Sequence, residues 1–121
     1  MKIGVPLFLL PHRRMPEVAA RAEGLGFESV WVPEHLVFPT EIRSRYPYSP
    51  SGVPPVRVDA PHLDPLITLT AVAAATKTIR LGTNVYILPL RHPLVTARLA
   101  VSVDHFSDGR LILGIDRKSV V

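Results

Sequence analysis

The chain alternates between runs that are apolar almost throughout and stretches whose apolar residues recur at helical spacing, and this alternation predicts its elements. Ile3 to Leu9 is nearly continuous in apolar residues, the pattern of a strand buried on both faces of a parallel sheet. Pro16 suits the first turn of a helix, Val18, Ala22 and Leu25 follow at i, i+4 and i+7, and Gly24 and Gly26 close the pattern. Ser29 to Val32 then predicts a second short strand, the βαβ rhythm of an α/β fold. Asp64 and Pro65 read as N-cap and first residue of a second helix, with Leu66, Leu69, Ala73 and Thr76 on one face. Ile79 to Tyr86 predicts a third strand, in which Gly82 is the interior exception. Pro93 opens a third helix carrying Leu94, Ala97 and Val101, and Ser107-Asp108-Gly109 turns the chain into a fourth strand, Leu111 to Ile115.

The order βα-βα-βα-β with apolar strands leads either to a doubly wound sheet or to a barrel. A (β/α)₈ TIM barrel takes about 250 residues, so a chain of 121 would hold roughly its first half. Residues 33 to 63 show neither periodicity and hold seven of the thirteen prolines; a long stretch without its own elements inside a domain is functional unless it has been misread.

Composition narrows the function classes. Fourteen Lys and Arg against ten Asp and Glu give +4, but the charges are scattered, and no basic stripe or interleaved aromatics points to nucleic acid. The absence of cysteine excludes disulfides, a thiol nucleophile and a cysteine-ligated metal. The apolar stretch after Lys2 is short, runs into Pro11 and Arg13 and lacks a small-residue cleavage site, so no signal peptide is expected. No run approaches the roughly 20 apolar residues of a membrane helix. A soluble, cytoplasmic protein is the expectation.

Glu34 and His35 directly follow the second strand, and in a barrel the active site is built at the C-terminal ends of strands. An imidazole there suits proton transfer near neutrality; the alternative is a loop histidine bonded locally. His12, His62, His92 and His105 show no metal-ligand spacing, so no metal is expected. His92 is placed to serve a helix start, and Asp104, His105 and Arg110 read as a structural cluster under the fourth strand. Gly24-Leu25-Gly26 lacks a third glycine and precedes a strand, which argues against a Rossmann dinucleotide site.

Four segments carry a more specific match. Gly24-Leu25-Gly26-Phe27-Glu28-Ser29-Val30-Trp31-Val32-Pro33-Glu34-His35, then Arg80-Leu81-Gly82-Thr83-Asn84-Val85, then Pro89-Leu90-Arg91-His92-Pro93, then Ser107-Asp108-Gly109-Arg110-Leu111-Ile112-Leu113-Gly114-Ile115 resemble, in order, the luciferase-like (LLM class) flavin- and F420-dependent oxidoreductases. Ile42 to Pro50 looks most like the subgroup that uses the deazaflavin F420. The resemblance covers residues 1 to 115 and implies the N-terminal half of a (β/α)₈ TIM barrel, truncated after the fourth strand, with residues 33–63 as a long active-site loop. It further implies that His35 handles a substrate proton beside the cofactor, with Glu34, where the family often has Asp, as its companion. Asn84-Val85 would form a bulge, commonly with a cis peptide, that supports the ring of the cofactor; Thr83 and Tyr86 would offer it hydrogen bonds or be structural. Pro39 to Pro61 is expected to form a lid or substrate wall that Tyr46, Tyr48, Arg43 and Arg45 could line, with plain solvent exposure the alternative for either arginine.

Beyond Ile115 the resemblance stops. The family continues with a glycine-rich loop, whereas Asp116-Arg117-Lys118-Ser119-Val120-Val121 stands here, and residues 116–121 are expected to be a non-native tail. The resemblance implies coenzyme F420 passing a hydride to or from a small organic substrate, with an FMN-dependent monooxygenase as the alternative and a homo-oligomeric parent. A reading from another class is a non-catalytic α/β module, since four strands leave sheet edges and one apolar face open. The chain alone is then expected to be poorly soluble and inactive.

Overall fold

The computed structural model of the chain describes residues 1–37, 41, 45–53 and 60–116. Its elements are β1 (Gly4–Pro6), α1 (Met15–Gly24), β2 (Ser29–Val32), α2 (Pro65–Ala75), β3 (Arg80–Thr83), β4 (Tyr86–Ile87), α3 (Pro93–Phe106), β5 (Leu111–Ile112) and β6 (Ile115–Asp116). The main sheet is wholly parallel with the order β1-β2-β3-β5, and β4 pairs with β6 beyond its end. Strands laid down side by side in chain order are those of a barrel; a doubly wound sheet reverses direction at a switch point.

Residues paired across parallel strands share a face. Val5, Val30 and Leu81 lie on one face, as do Leu7, Val32 and Thr83 two residues on. Most of these join Ala19 and Ala22 of α1, Leu66, Leu69, Val72 and Ala73 of α2 and Val103 of α3 in one core. Helix α2 lies centrally: Asp64 caps it by accepting from the amides of Leu66 at 2.9 Å and Ile67 at 3.2 Å, and Leu66, Leu69, Ala73 and Thr76 are all buried as the sequence predicts. Fully burying each such leucine contributes about 1.5–3 kcal/mol.

The opposite face is largely open. Gly4 and Pro6 are exposed, and Trp31 and Ile112 are half-buried there. The Trp31 indole, its Nε1 donating to Ser29 Oγ at 2.9 Å, lies against Gly4 of β1 and Gly82 of β3, where any Cβ would overlap it. Gly82 is therefore not a weak point in a strand but the space the indole occupies.

Three expectations need correction. Strand β1 is three residues long and not buried on both faces, because it is an edge strand with one face open. Strand β3 ends at Thr83, not Tyr86, and the fourth strand divides at Leu113 and Gly114. There the Asn84-Val85 peptide is cis, Tyr86 N donates to Gly114 O at 2.7 Å and Thr83 Oγ1 to the same oxygen at 2.8 Å. The Thr83 carbonyl comes so close to Gly114 that a Cβ would not fit. In α3 the stripe Leu94, Ala97 and Val101 faces outward, and Thr96 and Val103 with the half-buried Leu99 and Ala100 face inward. Asp116, the first residue of the expected tail, pairs with Ile87; residues 117–121 lie outside the described residues.

Two charged side chains fasten the end of the sheet where the strands begin. Arg110 is buried and spends its guanidinium on the end of α2 and the start of β3, whereas His105 is exposed and Asp104 accepts from Leu111 N at 3.3 Å, so the expected cluster is built around Arg110 alone. Near the end of α1, the Glu23 carboxylate accepts from the amides of Lys77, Thr78 and Ile79 and from the Thr78 hydroxyl. Desolvation opposes its charge, but these donors outweigh it and lower its pKa to about 2. Because the folded value lies below the unfolded one, this contribution is complete above about pH 4.5 and is lost as pH falls towards 2. Glu23→Gln is expected to cost about 1–2 kcal/mol at neutral pH, moderated by solvent screening. Urea unfolding at successive pH values should show the gap between the two proteins closing below pH 4.5; a gap independent of pH would refute the assignment.

Candidate active site

The site is assembled where the strands of the sheet end. β2 delivers Pro33, Glu34 and His35, the approach to α2 delivers His62 and Asp64, and the turn Leu88–Leu90 after β4 delivers Arg91. Glu34 is 6% exposed, and a carboxylate so buried requires partners. It accepts from Ile87 N and from Arg91 Nη2. Arg91 Nη1 donates to Asp64 Oδ2 at 2.8 Å, and the guanidinium lies 4.9 Å from the Tyr86 ring centre, over the ring. Burial on its own would lower the pKa of Arg91; the bonds to Glu34 and Asp64 prevail and raise it above its ordinary value. Arg91 thus clamps the exit of β2 to the N-cap of α2.

The clamp fixes the chain beside two imidazoles. His35 follows Glu34 directly and His62 lies two residues before Asp64. Their ring centroids are 6.3 Å apart, edge to face at 76°. Both line a cavity of about 590 Å³ at the ends of β1 and β2, whose wall is otherwise chiefly apolar, with Leu7, Leu10, Met15 and Val32 among its residues. Leu9, also on this wall, has φ of 60°, a conformation non-glycine residues adopt mostly under constraint. Partial burial pushes the His35 pKa below its ordinary value, the facing His62 pushes it the same way, and Glu34 opposes both. The neutral imidazole, able both to give and to accept a hydrogen bond, is favoured at the mouth of this cavity.

The residues expected to face a cofactor divide into two pairs. Asn84 is exposed and Val85 half-buried, so both present surface beyond the end of β3. Thr83 and Tyr86 are 1% and 0% exposed, and the Thr83 hydroxyl is committed to Gly114 O. The Tyr86 hydroxyl is buried without a protein partner. In the long loop, Tyr46 and Tyr48 pack edge to face at 5.5 Å, and Arg45 lies beside Gly52; Arg43 lies outside the described residues. Among the described residues no three His, Asp or Glu side chains are grouped for a metal, and no helix is long and apolar enough to cross a membrane.

Arg91 and Asp64 as a clamp, and His62 at the cavity, were not singled out in the sequence. Arg91 belongs to the Pro89–Pro93 segment, and Asp64 reads in sequence only as a helix cap. The available signal was an arginine between an apolar turn and a helix-opening proline, a charge without a partner nearby in sequence.

The chain is similar to known proteins in sequence and in fold. The model of the luciferase-like monooxygenase family matches residues 9–118. An uncharacterized protein of Mycobacterium tuberculosis is 36% identical over 117 residues, which cover 95% of this chain and 41% of that protein. An F420-dependent glucose-6-phosphate dehydrogenase of Amycolatopsis mediterranei is 32% identical over 105 residues, covering 85% of this chain and 26% of its own length. Among solved structures, the coenzyme F420-dependent tetrahydromethanopterin reductase from Methanopyrus kandleri superposes with a TM-score of 0.68 at 25% identity, over 94% of this chain and 26% of that one. The oxygenating constituent of 3,6-diketocamphane monooxygenase from Pseudomonas putida, in complex with FMN, shares the fold with a TM-score of 0.70 at 21% identity, over 99% and 30%. The chain spans less than half the length of each.

Proposed function

Because the chain belongs to the luciferase-like monooxygenase family, whose compared members include F420-dependent and FMN-containing enzymes, we propose that the protein it forms part of is an F420-dependent oxidoreductase acting on a small organic substrate. The observation that carries this reading is His35, an imidazole at the mouth of an apolar cavity, anchored through its neighbour Glu34 to Arg91. The likeness to two F420-dependent enzymes supports the deazaflavin reading, and the fold shared with an FMN complex makes FMN its alternative.

The fit of a planar ring rests on the bulge after β3. Exposed Asn84 and half-buried Val85 offer it a surface, while Thr83 and Tyr86, turned into the core, hold that surface in place. The deazaflavin, when bound, supplies the hydride chemistry. His35 gives or takes the substrate proton, its neutral form serving as base and its protonated form as acid. Glu34 and Arg91 fix the backbone from which His35 projects, and the cavity wall sheds water from an apolar substrate.

Titration of the full-length protein with F420 and with FMN, followed by absorbance and fluorescence, tests the reading. F420 is expected to bind, and substitution of Asn84 by a bulky residue to weaken it. Selective FMN binding would move the function to a flavin monooxygenase, and binding of neither would leave a non-catalytic module.

A further inference from the structure

We propose that His62 is a positioning residue for proton transfer: it faces His35 across the cavity mouth, and the two imidazoles together take up one proton rather than two. The inference rests on the reading of His35 as the proton-handling group. Three observations carry it. The rings meet edge to face at 6.3 Å, close enough that two positive charges oppose one another. Both rings open on the same cavity, whose wall is otherwise chiefly apolar, and both reach solvent at its mouth, which screens their charges in part. Both loops are pinned by a single guanidinium, since Arg91 binds Glu34 beside His35 and Asp64 two residues after His62. The separation of the two backbone segments that carry the rings is therefore built into the fold.

The charged and titratable groups near the pair, among the described residues, include Glu34, which favours the protonated His35, Asp64 and Arg91, which pair with each other, and His12 on the cavity wall. Against Glu34, the facing His62 opposes the protonated His35. The first proton taken by either ring raises the cost of the second, so the two titrate as a coupled pair with macroscopic midpoints. A His35 held neutral opposite His62 can accept a substrate proton, and its base form stays available below the pH at which a lone histidine would be spent.

The test uses the full-length protein with labelled histidines, without cofactor, following the ring C–H signals by NMR against pH. His35 is expected to titrate in two steps with its main midpoint below the ordinary histidine value. In His62→Gln the midpoint should rise and the curve become a single step; in His62→Lys, with a fixed cation opposite, it should fall below that of the wild type. His105→Gln, on the exposed end of α3, should leave it unchanged. A His35 midpoint that stays put in both His62 variants, or that moves as far in His105→Gln, overturns the pairing. In turnover the acid limb of the pH profile should move with the midpoint in His62→Gln. Since the NMR titration needs no cofactor, failure of the pair and failure of F420 to bind are separate outcomes.

Discussion

Replacing Arg110 by methionine is expected to lower the unfolding free energy by about 3–5 kcal/mol, the cost of emptying a buried, fully bonded charged site. Every donor of this guanidinium is used. Nε donates to Ser107 O at 2.6 Å, Nη1 to Thr76 Oγ1 at 2.8 Å and Ile79 O at 3.1 Å, and Nη2 to Ala73 O and Thr76 O, both at 3.1 Å. All the acceptors are neutral, and two, Ala73 O and Thr76 O, lie at the C-terminal end of α2, where Ala73 O also accepts from Thr76 N at 3.3 Å. A cation at that end also meets the negative pole of the helix. Methionine keeps much of the stem but takes the guanidinium donors from these acceptors, and each one left buried without a donor costs about 1–3 kcal/mol before relaxation. Arg110→Lys should recover only a minority of the loss, because an ammonium on one stem cannot reach acceptors spread over α2, β3 and the end of α3. Urea unfolding measures both. A loss below about 1 kcal/mol in Arg110→Met would mean that water satisfies the carbonyls, and that the fastening is not where the stability lies.

How much of this was legible in the sequence depended on how local the cause was. The parallel strands and α2 were readable because an apolar run or a cap with a regular stripe needs only neighbours in sequence; Asp64 and Pro65 mark the start of α2 within one residue. The inward face of α3 was not, because Leu94, Val95, Ala97, Leu99, Ala100, Val101 and Val103 surround the helix, and a periodicity present on all sides does not select one. The breaks in β3 and the fourth strand left a trace in Gly114, whose meaning appears only once Thr83 is beside it. His35 was found through position after a strand and through resemblance. The clamp stayed hidden, since Arg91 meets partners 57 and 27 positions away, and no local pattern pairs them.

That clamp sets the second large expectation. Arg91→Met should cost about 3–5 kcal/mol of stability, because it leaves the Glu34 carboxylate buried without its cation. Glu34→Gln should cost less: the amide oxygen can still accept from Ile87 N, and Arg91 keeps Asp64. The double variant is expected to be less impaired than the sum of the two, by about 1–3 kcal/mol, as residues in direct contact within one network couple. A coupling near zero would show that each side chain is satisfied independently. The effect on turnover in the full-length protein separates position from stability. Glu34→Gln, measured well below its melting range, is expected to lower kcat/KM by about 10–100-fold, since displacing a proton-handling group by as little as an ångström is enough for such a loss. His35 itself is untouched by that change, so the loss can arise only through the backbone that Glu34 fixes and the charge it places beside the imidazole. A shift of the pH profile together with the lower rate would assign the loss to the charge, and a lower rate with the profile unmoved would assign it to geometry, because the carboxylate favours the protonated ring and its removal should lower the His35 pKa further.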